Sequence, residues 1–162
     1  PRGGWTLRCE LRSLPPQIVL GRICETTACG EVLVTRVLVA GGCGFIGSHL
    51  VDRLLARSEV SALCVVDNLW TGLHENITHA RDPRLAFVHA DVEHFRSDQR
   101  FDEIYHLASP ASPPWYMAEP LRTISANVGG ALNLLGLLKE GGQIAYTSTS
   151  EVYGDPLVTP PF

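Results

Sequence analysis

The sequence predicts an α/β fold with a doubly wound parallel sheet of about five strands, incomplete at its C-terminal end. Two observations predict it. From Arg36 onward, short β-branched runs alternate with longer stretches of helical periodicity, which is the pattern of parallel strands joined by crossover helices. Between the first run and the first helical stretch lies a glycine cluster, Gly41-Gly42-Cys43-Gly44-Phe45-Ile46-Gly47, placed where a strand turns sharply into a helix.

Each element has its own signal. Val37 to Ala40 forms the first strand. Ile46, Leu50, Val51, Leu54 and Leu55 recur at helical spacing, predicting a helix from about Phe45 to Ser58 that lays this stripe on the sheet. Ala62 to Val66 is the second strand; a loop of turn formers (Asp67, Asn68, Thr71, Gly72) follows. Leu85 to His89 and Glu103 to Leu107 are strands three and four. Ser109 to Pro114 has three prolines in six residues, which forbids helix and sheet there and predicts a stiff loop at a strand's carboxyl end, where open α/β sheets bind ligands. Leu121, Ile124, Val128, Leu132, Leu135 and Leu138 form the next helical stripe, with Gly141-Gly142 as its C-cap. Gln143 to Thr147 is strand five, followed by a proline-rich tail. Residues 1–34 show no comparable alternation and stay unassigned, leaving 35–162 as the folded domain.

Composition narrows the function classes. At 162 residues and 45% hydrophobic, the chain suits one domain and is short for a cofactor domain plus a substrate domain. A net charge of −4 with scattered arginines gives no footprint for nucleic acid. Apolar runs such as Leu33 to Ala40, broken by Arg36, fall short of the roughly 18 to 20 residues a membrane span needs. Pro1 to Arg12 lacks the features of a secretory signal, and without an initiating Met the true start is expected upstream. Five cysteines, at 9, 24, 29, 43 and 64, lack paired CxxC spacing. Scattered reduced thiols in a cytoplasmic protein are expected, with no metal site; Cys24 and Cys29, the one close pair, have no histidine nearby to complete a zinc set.

The glycine cluster carries the chemistry. Gly41, Gly44 and Gly47 follow a strand and open a helix, and Asp67 ends the next strand twenty residues after Gly47, the interval of a Rossmann-like dinucleotide site. Gly41 permits the tight turn, Gly44 removes the side chain that would block a pyrophosphate, and Gly47 lets helix pack on strand. The amides opening the helix at Phe45 and Ile46 then face the anion. Asp67 can accept hydrogen bonds from ribose hydroxyls and would repel a 2′-phosphate; Asn68-Leu69-Trp70 supplies no arginine to reverse that preference. NAD is therefore expected over NADP. Asp91, just after strand three, could reach the adenine amino group or serve as a helix cap before Glu93. His106 and the other five histidines show no catalytic partner in the sequence.

Gly-Gly-Cys-Gly-Phe-Ile-Gly-Ser-His-Leu (41–50), Val-Asp-Asn (66–68), Tyr-His-Leu-Ala-Ser (105–109) and Ser-Thr-Ser-Glu-Val-Tyr-Gly-Asp-Pro (148–156) resemble the extended short-chain dehydrogenase/reductase family, whose members act on nucleotide sugars. Within it, His106 to Pro114 with Tyr116-Met117 resembles the UDP-glucuronate decarboxylase branch. The resemblance implies that Leu107, Ala108 and Ser109 line the cofactor site. It implies a sugar site at Pro110, Ala111, Ser150 and Glu151. The reaction it implies is oxidation of the sugar at C4 by NAD⁺, loss of carbon dioxide from the resulting β-keto acid, and return of the hydride to give UDP-xylose. Thr149 would hydrogen-bond the C4 oxygen, and Glu151 would position the sugar or handle a proton near C5; the plainer alternative has Ser148 to Ser150 ending the strand and Glu151 solvated. Related dehydratases place Asp-Glu where this chain has Ser150-Glu151, so the acid needed to expel hydroxide is missing.

The family's base is a Tyr with a Lys four residues later. Tyr105, Tyr116, Tyr146 and Tyr153 are followed at that spacing by Ser109, Pro120, Ser150 and Leu157, and Lys139 is the only lysine. The resemblance therefore implies that the base and the substrate region lie beyond Phe162, and that the chain alone is inactive. A nucleotide-sugar 4-epimerase or 4,6-dehydratase, or a non-catalytic NAD-binding fragment, are the alternatives. A family-type homodimer would form through helices that include the one near Leu121 to Leu138.

Overall fold

The computed structural model describes residues 34–155; the expectations for residues 1–33 and for the tail from Pro156 onward lie outside them. Five strands, β1 (Thr35–Ala40), β2 (Val60–Asp67), β3 (Leu85–His89), β4 (Phe101–His106) and β5 (Leu138–Tyr146), form one sheet in the order β3-β2-β1-β4-β5. Every pairing is parallel. Helix α1 (Phe45–Leu55) links β1 to β2, and α2 (Pro113–Ala118), α3 (Pro120–Ile124) and α4 (Gly130–Leu137) link β4 to β5, with a π-helical turn at Ser125–Gly129 between the last two.

The sheet is covered on both faces. Along β1 the side chains alternate: Val37 and Val39 join α1's Val51 and Leu54 on one face, while Leu38 and Ala40 join Ile104 and α4's Leu134 and Leu137 on the other. All four β1 residues are fully buried, as expected of a central parallel strand, which is why this stretch is uniformly apolar. Strand order reverses direction between β1 and β4, so the loops leaving their carboxyl ends diverge and open a crevice at the switch point.

α1 buries Val51 and Leu54 as its periodicity predicts, with Leu50 and Leu55 at the margin. Ile46 does not join them: it is 63% exposed, because α1's first turn projects past the sheet at the glycine loop. The helix ends at Leu55, three residues short of Ser58. There Arg84, from the start of β3, donates to the carbonyls of Leu55, Arg57 and Val60 and satisfies groups that otherwise lack partners at a helix end.

Two expectations fail. The prolines at 113 and 114 do not bar a helix; they start α2, in its first two positions, where no backbone N–H is needed. The Leu121–Leu138 stripe is not one continuous helix and does not face the sheet. Leu121, Ile124, Val128, Leu132 and Leu135 are 51–80% exposed, whereas Ala126, Gly130, Leu134 and Leu137 are buried. The sequence holds two apolar stripes offset by two positions, roughly 200° around a helix. The one with the smaller residues wins the sheet because Ala126 and Gly130 allow close approach. The helix stops at Leu137, ahead of the expected Gly141-Gly142 cap, and Leu138 already pairs with Phe101. Lys139–Gly142 bulge opposite Asp102, pinned by a 2.6 Å Lys139–Asp102 ion pair.

Candidate functional site

A cleft of about 970 Å³ opens at the switch point between β1 and β4. Its floor is the glycine loop. Gly41 has φ +83°, and a Cβ there would come within 2.7 Å of the Leu107 carbonyl carbon and the Ala108 nitrogen; only glycine lets the two switch-point loops touch. A Cβ on Gly47 would overlap the Gly41 carbonyl, whereas one on Gly44 would meet only that oxygen, at 3.4 Å. Gly44 thus leaves the mouth of the loop open, as an approaching pyrophosphate requires. The amides of Phe45, Ile46 and Gly47 precede the first intrahelical bond, Ser48 N–H to Gly44 O (3.0 Å), and α1 has no side-chain cap. Unmet donors at the positive end of an eleven-residue helix are a ready anion site.

Asp67, at the end of β2, is buried yet lines the cleft. One carboxylate oxygen accepts from the Cys43 N–H (2.9 Å) and the other from the Leu69 N–H (2.8 Å). Each oxygen has further lone pairs, so Asp67 can brace the glycine loop and still accept ribose hydroxyls. Leu69 is held at φ 57° by the resulting turn. The Cys43 carbonyl in turn accepts from the Asn76 side chain (2.8 Å) and the Leu73 N–H (3.1 Å). A Cβ on Gly72 would reach within 2.9 Å of the same peptide. Burial first, then the nearby Asp67, pushes the Cys43 thiol up to about 12, so it stays protonated and unreactive.

The far wall is the loop after β4, where Leu107, Ala108, Ser109, Pro110 and Ala111 all line the cleft. Thr149 reaches it from the end of β5. Its hydroxyl accepts from the Glu151 N–H (3.3 Å), capping the short turn Ser150–Tyr153, and keeps its proton free to donate. Glu151 itself is exposed and does not line the cleft.

Asp91 also stands outside the lining. It accepts from the Asn68 side chain at 2.7 Å and faces Arg122 at 3.5 Å; the Asn68 hydrogen bond, then Arg122, hold its carboxyl below the usual range against burial. Arg122 lies over the Trp70 ring (4.2 Å), and Trp70 meets Trp115 edge-on. Sequence reasoning missed this corner. Arg122 lies more than fifty residues from Trp70, and only the crossover through α2 and α3 brings it there. Of the residues that line the cleft beside Asn68, Thr71 and Gly72 carried only turn signals in the sequence, and Trp70 only the absence of an arginine.

The described residues fit a dinucleotide. A cradle that a Cβ would fill, open helix amides and a buried carboxylate twenty residues on converge in one cleft. Among the described residues, no group of three or more His, Cys, Asp or Glu could hold a metal ion. No helix among them is long and apolar enough to cross a membrane.

Comparison with known proteins agrees with this geometry. Residues 37–161 match the model of the NAD dependent epimerase/dehydratase family. The chain is 52% identical to UDP-glucuronic acid decarboxylase 4 of Arabidopsis thaliana, matching 99% of this chain and 38% of that protein. It is 46% identical to UDP-glucuronic acid decarboxylase 1 of Danio rerio over 77% of this chain and 30% of that protein. The chain thus spans well under half the length of these relatives. Among solved structures it resembles a UDP-N-acetylglucosamine 4-epimerase from Methanobrevibacter ruminantium (TM-score 0.63, 32% identity, 80% of this chain and 42% of that one). It also resembles a dTDP-glucose 4,6-dehydratase from Streptomyces venezuelae solved with NAD bound (TM-score 0.55, 33% identity, 63% and 35%).

Proposed function

The chain belongs to the NAD dependent epimerase/dehydratase family, and from that premise we propose that residues 35–162 are the NAD-binding part of a UDP-glucuronate decarboxylase-like enzyme, one that converts UDP-glucuronate to UDP-xylose through a 4-keto sugar. The observation that carries this reading is the single cleft in which the glycine loop faces the Ser109-Pro110-Ala111 loop. It sets an anion-binding helix end against the segment most like the decarboxylases, His106 to Pro114.

In this reading the Phe45, Ile46 and Gly47 amides bind the pyrophosphate, and Asp67 and Asn68 hold the adenosine ribose, favouring NAD over NADP. Leu107, Ala108 and Ser109 shape the cofactor's far side. Bound NAD supplies the acceptor and later donor of one hydride at the sugar's C4. The Thr149 hydroxyl donates to the C4 oxygen, Pro110 and Ala111 border the sugar, and Ser150 and Glu151 act at its C5 side. With a carboxylate at C5 and a ketone at C4, carbon dioxide leaves without any hydroxide to expel. That suits Ser150, which stands where a dehydratase has an acid.

A 4-epimerase is the second reading, favoured by the similarity to solved 4-epimerases. One experiment separates the two. Residues 37–155 are grafted into the Arabidopsis decarboxylase in place of its matching segment, and UDP-glucuronate is supplied. Release of carbon dioxide with UDP-xylose is expected; formation of UDP-galacturonate would overturn the decarboxylase reading in favour of the epimerase.

The exposed stripe Leu121, Ile124, Val128, Leu132 and Leu135 supports a homodimer formed through α3 and α4. A reducing, cytoplasmic setting accords with the free thiols of Cys43 and Cys64.

A further inference from the structure

His106, the last residue of β4, is 1% exposed, and neither ring nitrogen finds a hydrogen-bond partner. Buried polar atoms left this way are rare and call for a reason. The ring stands edge-on to Tyr146 of β5, with centroids 5.0 Å apart. On its other side is Gly130, where a Cβ would come within 3.2 Å of Nε2 and 2.6 Å of Val92. The π-helical turn Ser125–Gly129 ends just before that glycine, and single π-turns inside helices recur at functional sites.

Of the residues around His106, Tyr146, Val92 and Thr147 line the cleft. The Tyr146 hydroxyl donates to Asn127 Oδ1 (3.3 Å), Asn127 Nδ2 donates to the Thr123 carbonyl (2.9 Å), and Thr147 donates twice to the His106 carbonyl (3.1 Å each). Tyr146, Asn127, Thr123 and Thr147 all line the cleft; none of the six histidines does.

We propose that His106 is a positioning residue for the cleft wall: as a neutral imidazole it supports Tyr146 and the π-turn, and so holds Asn127 toward the ligand. A charged imidazolium would sit in a compartment with no counter-ion. The groups facing the ring are Tyr146 from β5, Val92 from the turn after β3, and Ala126, Asn127 and Gly130 from the helix. None of them is charged at neutral pH. Burial accordingly pushes the His106 pKa down, against a smaller opposing pull from the Ala126 and Asn127 backbone.

The proposal goes beyond the NAD reading and rests on it only for one of its two readouts. In the 162-residue chain, the His106 ring and the Asn127 side-chain amide are followed together by ¹⁵N NMR as pH is lowered from 7.5 through the His106 titration, and NAD affinity is measured by calorimetry over the same range. In the parent the Asn127 signal moves as His106 titrates, and NAD binding weakens about fivefold or more at the acid end, as the competent fraction falls. In H106Q, which cannot titrate, both are flat with pH. In Y146F, which keeps the ring contact but loses the bond to Asn127, the Asn127 signal no longer follows His106. An Asn127 signal that ignores His106 titration in the parent, or an acid loss of NAD affinity retained in H106Q, overturns the proposal. If the parent binds no NAD at pH 7.5, the cofactor reading fails and the NMR arm alone decides the role of His106. Should H106Q not fold, the parent titration and Y146F suffice.

Discussion

Gly44 and Gly47 share one helical turn yet answer different demands, and substitution separates them. A methyl at 47 overlaps the Gly41 carbonyl, while a methyl at 44 meets that oxygen at an ordinary 3.4 Å and points toward the cleft mouth. G47A is expected to cost about 1–3 kcal/mol of stability through overpacking, seen as a lower urea midpoint. G44A is expected to stay within about 1 kcal/mol of the parent but to weaken NAD binding at least about tenfold, since about 1.4 kcal/mol of lost contact suffices. Equal affinity of G44A and parent in calorimetry would remove Gly44 from the phosphate site. Asp67 behaves differently because it carries two loads. Both its oxygens hold backbone amides, so D67A leaves two partly buried donors without partners, each worth about 1–3 kcal/mol. It should therefore lose stability together with affinity. The sequence interval marked Asp67 as a candidate ribose ligand; its bracing of Cys43 was invisible there, because which amide points at a carboxylate depends on how the Gly41–Gly47 loop folds back over β2. His106 adds a pH signature. Its folded pKa lies below the unfolded one, so the stability it contributes is present above about pH 6.5, the unfolded value, and is lost as pH falls through the folded value.

At the scale of elements, strands were legible and the second helical region was not. β3 runs from Leu85 to His89 as its pattern predicts, and β1 is marked by an uninterrupted apolar run because both its faces are covered. From 120 to 138, periodicity alone finds two candidate faces and favours the larger side chains. Packing reverses that choice, because Gly130 and Ala126 can approach β4 where leucines would hold the helix off. The consequence is an apolar ridge of five exposed side chains on α3, the π-turn and α4, larger than scattered surface residues would give. If this ridge is the homodimer surface, I124D/L132D should shift the chain toward the monomer in sedimentation velocity without loss of the far-ultraviolet circular dichroism signal, because neither residue belongs to the buried set. An unchanged sedimentation coefficient, with the parent already monomeric, would reject the dimer. The proline-rich loop was misjudged for a related reason: proline bars the interior of a helix but not its first turn, and Ser112-Pro113-Pro114 is a start signal as much as a stop.

At the scale of the whole molecule, strand order decides where chemistry is possible. Because β1 and β4 are neighbours whose outgoing loops diverge, residues 41–47 and 107–111, far apart in sequence, face one another across one cleft. The doubly wound parallel character was foreseeable from the alternation of strands and helices; the strand order and the identity of the wall were not. Trp70 reaches the cleft from the β2–β3 connection, Asn127 from the β4–β5 crossover and Tyr146 from the end of β5. Cofactor binding and turnover are separable demands on this architecture. Every residue the glycine-loop motif and the loop after β4 assign to NAD lies between Gly41 and Ser109, whereas no tyrosine among the 162 residues has a lysine four positions later, so no phenol is assisted toward taking the C4 hydroxyl proton in that way. The 162-residue chain should therefore bind NAD without turning over. At a hundred times its Kd, NAD adds about 2.7 kcal/mol to folding stability, which for a domain of this size raises the melting midpoint by about 5–10 °C. UDP-glucuronate supplied with NAD should release no carbon dioxide and leave no NADH absorbance at 340 nm. Carbon dioxide release by the purified chain would mean that another residue takes the proton, with the Thr149 rim of the cleft the first place to look. A melting midpoint unmoved by NAD would instead remove the cofactor from the cleft and with it the decarboxylase reading.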